Sequence, residues 1–166
     1  MAHSENGVTV RRATARSPYH YMGAGLPNVW LVGVEYRVNE KGEQSADIPC
    51  LPALHDALAE ALLYKRAALT GDELRFLRKR LGRSSKDFAA LVGLTSEQYS
   101  RVENGASLTQ TNDKLARLLY AGLKKLSSDS TEKVAQTTWA AEINHEQRII
   151  ATQNEDHEWV VQTKVA

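Results

Sequence analysis

Cys50 is the only thiol in this chain of 166 residues. One cysteine excludes an intramolecular disulfide and cannot by itself hold a structural zinc, so stability has to come from packing. No stretch approaches the ~18 consecutive apolar residues that a membrane span requires, and Met1-Ala2-His3-Ser4-Glu5 has no apolar signal core. The expected location is therefore the cytoplasm, with no membrane partner. Four prolines, ten glycines, 42% hydrophobic and 25% charged residues exclude a collagen, a coiled-coil rod and a wholly disordered chain. They leave room for one or two small domains. Neither an internal repeat nor a low-complexity tract is present.

Excess charge is also lacking, at a net +1, but the charges are unevenly spread. Lys65, Arg66, Arg75, Arg78, Lys79, Arg80, Arg83 and Lys86 crowd one segment against only Asp72 and Glu73. From Ser127 onward Asp129, Glu132, Glu142, Glu146, Glu155, Asp156 and Glu158 outnumber Lys133, Arg148 and Lys164. A basic centre thus precedes an acidic tail. Such a run describes a solvated helix face as readily as a polyanion site, so the surrounding pattern has to decide.

Residues 1–17 have no apolar rhythm and read as a flexible leader. Residues 18–50 carry short β-prone runs and read as a small N-terminal β unit. Within it Val29, Leu31, Gly33 and Glu35 alternate with Trp30, Val32, Val34 and Tyr36 as one strand, and Asn39-Glu-Lys-Gly42 marks a hairpin. Residues 51–68 suit a linking helix, with Pro52 in its first turn and Leu54, Leu58, Ala61 and Leu62 at helical spacing. Residues 69–126 hold four further helical segments with short turns, and 127–166 read as a C-terminal β-hairpin extension. The expected class is α+β.

Residues that could support catalysis or bind metal lack the partners for it. Cys50, between Pro49 and Leu51, reads as a small buried hydrophobe. His3, His20, His55, His145 and His157 form no ligand pair. Gly23-Ala-Gly25 reads as a turn, and Trp30, Trp139 and Trp159 as core residues. No acidic pair has a context that assigns acid and base roles. The expectation is no enzyme, no catalytic residue, no metal and no cofactor.

The middle segment is more informative. Thr70-Gly-Asp-Glu73 places a hydroxyl three residues before a carboxylate, which caps a helix start. Leu74, Leu77 and Leu81 then share one face, and Gly82 ends the helix. Ser84-Ser-Lys-Asp87 opens a second helix with Phe88, Ala89 and Val92 on its apolar stripe, and Thr95-Ser-Glu-Gln98 opens a third after Gly93. Two short helices with so tight a joint have the shape of a helix-turn-helix. Along the third, Tyr99 and Val102 point one way while Ser96, Glu97, Ser100, Arg101 and Asn104 point the other.

That hydrophilic face suits a DNA groove. Arg101 can fork onto guanine O6 and N7, Glu97 can accept from a cytosine amine, and Ser96 and Ser100 admit close approach, so these four are the candidate base readers. Arg75, Lys79, Ser85, Lys86 and Asn104 are the candidate phosphate contacts.

Leu74-Arg-Phe-Leu-Arg-Lys-Arg-Leu-Gly82, Ser84-Ser-Lys-Asp-Phe-Ala89, Val92-Gly-Leu94 and Tyr99-Ser-Arg-Val-Glu-Asn-Gly105 resemble the Cro/C1-type (Xre) helix-turn-helix over about 70–124. The resemblance implies an all-α domain with an internal ion pair, here Arg78 with Glu103. The layout upstream, with Tyr19-His-Tyr, Gly25-Leu-Pro-Asn-Val-Trp-Leu31 and Leu54-His55, resembles MqsA-type antitoxins and related orphan regulators. Their zinc-ligand cysteines are absent here, since Val38-Asn-Glu-Lys-Gly42 stands at that place. The combined expectation is a DNA-binding transcriptional regulator, a repressor reading a palindromic operator in double-stranded DNA as a homodimer. The alternative is a type II antitoxin that occludes a protein toxin and autoregulates its operon.

Overall fold

The structure, a computed structural model, describes residues 4–5, 7–138 and 147–165. His3, Trp139, Glu142, His145 and Glu146, named above, lie outside the described residues. The described residues group into two compact units, one within Met1–Gly23, Pro27–Leu58 and Glu146–Ala166 and the other within Ala24–Leu26 and Ala59–His145. The class is α+β. Among the described residues no helix is long and apolar enough to cross a membrane.

The first unit holds two four-stranded sheets. One is ordered β1 (Ser4–Glu5), β2 (Val8–Arg12), β5 (Glu35–Val38), β6 (Gln44–Ala46); the other is β3 (Tyr19–His20), β4 (Val29–Val32), β7 (Gln147–Gln153), β8 (Trp159–Val165). The single strand expected around residues 28–37 is broken at Gly33, whose φ of 89° no β-branched residue would adopt and where a Cβ would lie 2.9 Å from the Gln153 carbonyl. Val29 and Leu31 are buried before the break and Val34 and Tyr36 after it, so the buried parity shifts by one residue. The two halves then serve different sheets. The Asn39–Gly42 turn joins β5 to β6, with Asn39 Oδ1 accepting the amides of Lys41 and Glu43.

Two further expectations need correction here. Part of the leader is not loose, because Val8–Arg12 pairs antiparallel with β5, Val10 opposite Arg37. Cys50 is exposed, at φ 52°, and its carbonyl accepts the first amide bond of α1 (Leu51–Leu63) from Leu54. The C-terminal hairpin, β7 with β8, forms as expected and joins the sheet of β3 and β4. Its β7 runs parallel to β4, placing Ile149 and Ala151 beside the equally buried Val29 and Leu31.

The second unit contains the end of α1 and then α2 (Gly71–Arg80), α3 (Ser85–Leu91), α4 (Ser96–Glu103), α5 (Gln110–Leu123) and α6 (Ser128–Gln136). Each of α2 to α6 starts at a hydroxyl cap, Thr70, Ser84, Thr95, Thr109 or Ser127, that accepts the amide three residues on. Helix α6 stands where only β structure was expected, since Val134 is its one buried residue and leaves no apolar periodicity to read. The core comprises Leu74, Leu77, Phe88, Ala89, Val92, Tyr99, Ala116, Tyr120 and Ala121, with Phe88 and Tyr99 edge to face at 5.7 Å.

A buried polar clamp holds the start of this unit. Arg117, 2% exposed, donates to the carbonyls of Leu63, Lys65 and Ala67 and to Asp113, while Asp113 also accepts from the Leu69 amide. The connection from α1 to α2 thereby has its carbonyls satisfied without forming a helix or strand. Beside it Lys65 reaches Glu73 at 2.7 Å, and Glu73 completes the capping box of α2 by accepting from the Thr70 amide.

Candidate functional site

Helix α4 has a capping box at its start, where Thr95 accepts from the Gln98 amide and Gln98 accepts from the Thr95 amide. Two side chains anchor it. Tyr99 is fully buried and Val102 is 6% exposed, leaving Ser96, Glu97, Ser100, Arg101 and Asn104 exposed on the opposite side. The Arg101 guanidinium has no hydrogen-bond or ion-pair partner among the described residues. The Glu97 carboxyl is held below the usual carboxylate range by its own backbone amide, the Thr95 hydroxyl and the nearby Arg101. It is an ionised acceptor at neutral pH.

The C-terminus of α4 is tied to α2. Glu103 accepts from Arg78 Nε at 2.8 Å and, more weakly, from Arg75 Nε at 3.4 Å; Arg75 also donates to the Glu103 carbonyl at 2.9 Å. Burial pushes the Glu103 carboxyl up, but the hydrogen bond and charge of Arg78, helped by the nearby Tyr99 hydroxyl, outweigh it and hold the group below its ordinary value. Burial in turn raises the Tyr99 hydroxyl, with the Glu103 carboxylate adding to the effect. Gly71 completes the junction. A Cβ there would sit 2.4 Å from the Val102 carbonyl, so α2 can approach α4 this closely only with glycine at its start.

The residues expected to hold phosphate divide into two groups. Lys79, Ser85 and Lys86 are exposed, and neither lysine has an ion-pair partner among the described residues. Arg75 is half-buried and already occupied by Asp72 at 2.9 Å and by Glu103. Asn104 caps α4 and donates from its side chain to the Ser100 carbonyl. Sequence reasoning missed three positioning groups: Gly71; Asn112, whose amide donates to the Val92 carbonyl at 2.7 Å and fixes the end of α3; and the Asp113–Arg117 clamp. The sequence offers only an Asp and an Arg four residues apart, in helical line with Ala116, Tyr120 and Ala121.

The site is a short, doubly anchored helix with a free hydrophilic face, and the exposed cations Lys79 and Lys86 stand on α2 and α3, the helices packed against it. Such a face can enter a major groove without burying an apolar group, while the cations meet the backbone. Among the described residues no cluster of His, Cys, Asp or Glu could hold a metal ion.

Residues 74–119 match the family described as Helix-turn-helix. That stretch is a DNA-binding helix-turn-helix of the Cro/C1 (Xre) type and runs from α2 into α5. No curated protein and no solved structure matches the chain.

Proposed function

We propose that the chain is a sequence-specific, double-stranded-DNA-binding transcriptional repressor that binds a palindromic operator as a homodimer. The observation that supports this most is the free face of α4 in a segment of the Cro/C1 type. Arg101 and Glu97 are unburied and unengaged by neighbouring elements, while Tyr99 and Val102 fix the helix behind them. Arg101 reads a guanine, Glu97 a cytosine amine, and Ser96 and Ser100 line the close approach. Lys79, Ser85 and Lys86 hold the phosphates, with Asn104 at the edge. Arg75, engaged by two acidic residues, contributes to α4 placement more than to DNA. Arg78 and Glu103 are the structural pair.

A palindrome follows from geometry, because one module spans about one half-site and a dimer places two recognition helices roughly one turn, ~34 Å, apart. Selection of bound duplexes from a random pool tests the reading. The expected result is a palindrome with half-sites one helical turn apart. Enrichment of no sequence at moderate salt overturns it. An antitoxin that represses its own operon would pass the same test, and co-purification of a small protein from native cells distinguishes it.

A further inference from the structure

Strand β8 forms one edge of its sheet, hydrogen-bonded to β7 alone among the described residues. Across the turn Asn154 donates to the Glu158 carbonyl at 2.9 Å, so the bonded pairs in this hairpin are 154/158, 152/160, 150/162 and 148/164. The amides and carbonyls of Trp159, Val161, Thr163 and Val165 therefore face outward from the edge. Seven residues long and rich in valine, with Val160 half exposed, this edge has neither a proline nor a bulge to blunt it.

The hairpin's charge is polarised along its length. Exposed Glu155, Asp156 and Glu158 gather at the turn, while Arg148 and Lys164 stand directly opposite each other at the open end. Two like charges in register repel. The Arg148 guanidinium lies over the Trp30 ring at 5.2 Å, and Lys164 has no acidic partner among the described residues.

We infer that β8 pairs antiparallel with β8 of a second copy, centred on Val161, to make a continuous eight-stranded sheet. This register places Val161 opposite its own copy, Trp159 opposite Thr163 and Val160 opposite Gln162, with the outward-facing amides meeting outward-facing carbonyls. It also places Glu158 opposite Lys164 twice, on the same face of the sheet, since residues 158, 160, 162 and 164 share a parity. Sliding the centre to Gln162 sets Lys164 against Val160, and sliding it to Val160 leaves Glu158 against Gln162 and Lys164 beyond the ladder, level with Asp156 in the turn, so neither register keeps a charged pair between strand positions. A parallel arrangement would bring acidic turn against acidic turn. Charge complementarity therefore selects a second copy of this chain, in one orientation and register.

The inference gives the proposed homodimer its interface and rests on that reading only for the presence of two copies. Sedimentation equilibrium of the full chain without DNA keeps self-association separate from sequence preference. The wild-type chain is expected to dimerise at tens of micromolar, and Lys164→Glu or Glu158→Lys to weaken the dimer by about tenfold or more at low salt. The double reversal Glu158→Lys/Lys164→Glu restores the wild-type constant, an outcome that misfolding of the single variants could not produce. Val161→Pro removes an edge donor that β7 does not use and should give a folded monomer by circular dichroism. A wild-type monomer, unchanged single reversals, or a double reversal that stays weak overturns the proposal. If duplex selection fails while the charge swap behaves as stated, only the DNA reading falls.

Discussion

Removing the Glu103 carboxylate tests whether the α2–α4 tie is an interior interaction or a surface one. In Glu103→Ala the Arg78 guanidinium, whose side chain is 12% exposed, loses its 2.8 Å bond and keeps only the Arg83 carbonyl. Arg75 loses a 3.4 Å contact that is too long to count for much, and retains Asp72 and the Glu103 carbonyl. One charge-assisted bond is worth roughly 1.5–3 kcal/mol, and a cation left partly desolvated adds to that. The expected loss is about 2–3 kcal/mol in urea unfolding, against total stabilities of roughly 5–15 kcal/mol for small domains. Because an unpaired buried charge is the larger part of the penalty, Arg78→Met/Glu103→Met should be less destabilised than Glu103→Ala alone. A loss below about 1 kcal/mol would class the pair with exposed ion pairs. A double variant as unstable as the two singles summed would refute the argument from desolvation.

The other expected outcomes concern reading, contact and pH. Arg101→Ala should lose on the order of 1–3 kcal/mol of affinity, mainly for the selected operator, whereas Lys86→Ala should weaken all duplexes alike and lower the salt dependence; both are read by fluorescence anisotropy titrations across salt. Gly71→Ala forces α2 away from the end of α4 and should cost about 1–3 kcal/mol in thermal or chemical unfolding with any operator affinity falling in parallel; an unchanged midpoint would show that the junction has slack. The Glu103 carboxyl is held below its ordinary value of 4.5 in the folded chain. Its contribution is therefore present above that value and is lost as pH falls through the lower, folded one. Glu103→Gln should flatten the decline in stability below about pH 5, and an unchanged acid limb would argue against the pair.

What was legible in the sequence was local. Thr70, Ser84 and Thr95 announce α2, α3 and α4 because a hydroxyl cap and its partner lie within one helical turn, and the Tyr99/Val102 stripe separates from Ser96, Glu97, Ser100 and Arg101 by helical geometry alone. What escaped was set by distant partners. Val8–Arg12 is too short and polar to announce itself until β5 is there to pair with it. At Gly33 a run that alternates cleanly on paper is turned by one left-handed residue, and each half finds a different sheet. Asp113 and Arg117 look like an ordinary surface pair four residues apart, and their burial follows from the three carbonyls some fifty positions earlier to which Arg117 donates. Among the site residues, Arg75 shows the same limit. Its spacing placed it on the basic face, whereas Asp72 and the Glu103 carbonyl occupy its guanidinium.

The parallel pairing of β4 with β7 has a consequence for the chain that connects them. Parallel neighbours need a crossover, usually of a dozen residues or so. Here the chain between Val32 and Gln147 contains β5, β6 and α1 to α6 before it returns to set Ile149 beside Val29. Closing so long a loop costs only a slowly growing entropy, about 0.6 kcal/mol for each doubling of length. The buried pairs Val29–Ile149 and Leu31–Ala151 are fully within the core of the sheet, so their burial can offset that cost. Strand β8 is present at this edge only because the chain returns. A truncation after α6 would therefore remove β7 and β8 together, exposing Val29 and Leu31 along the flank of β4 as well as deleting the edge at which a second copy is proposed to dock.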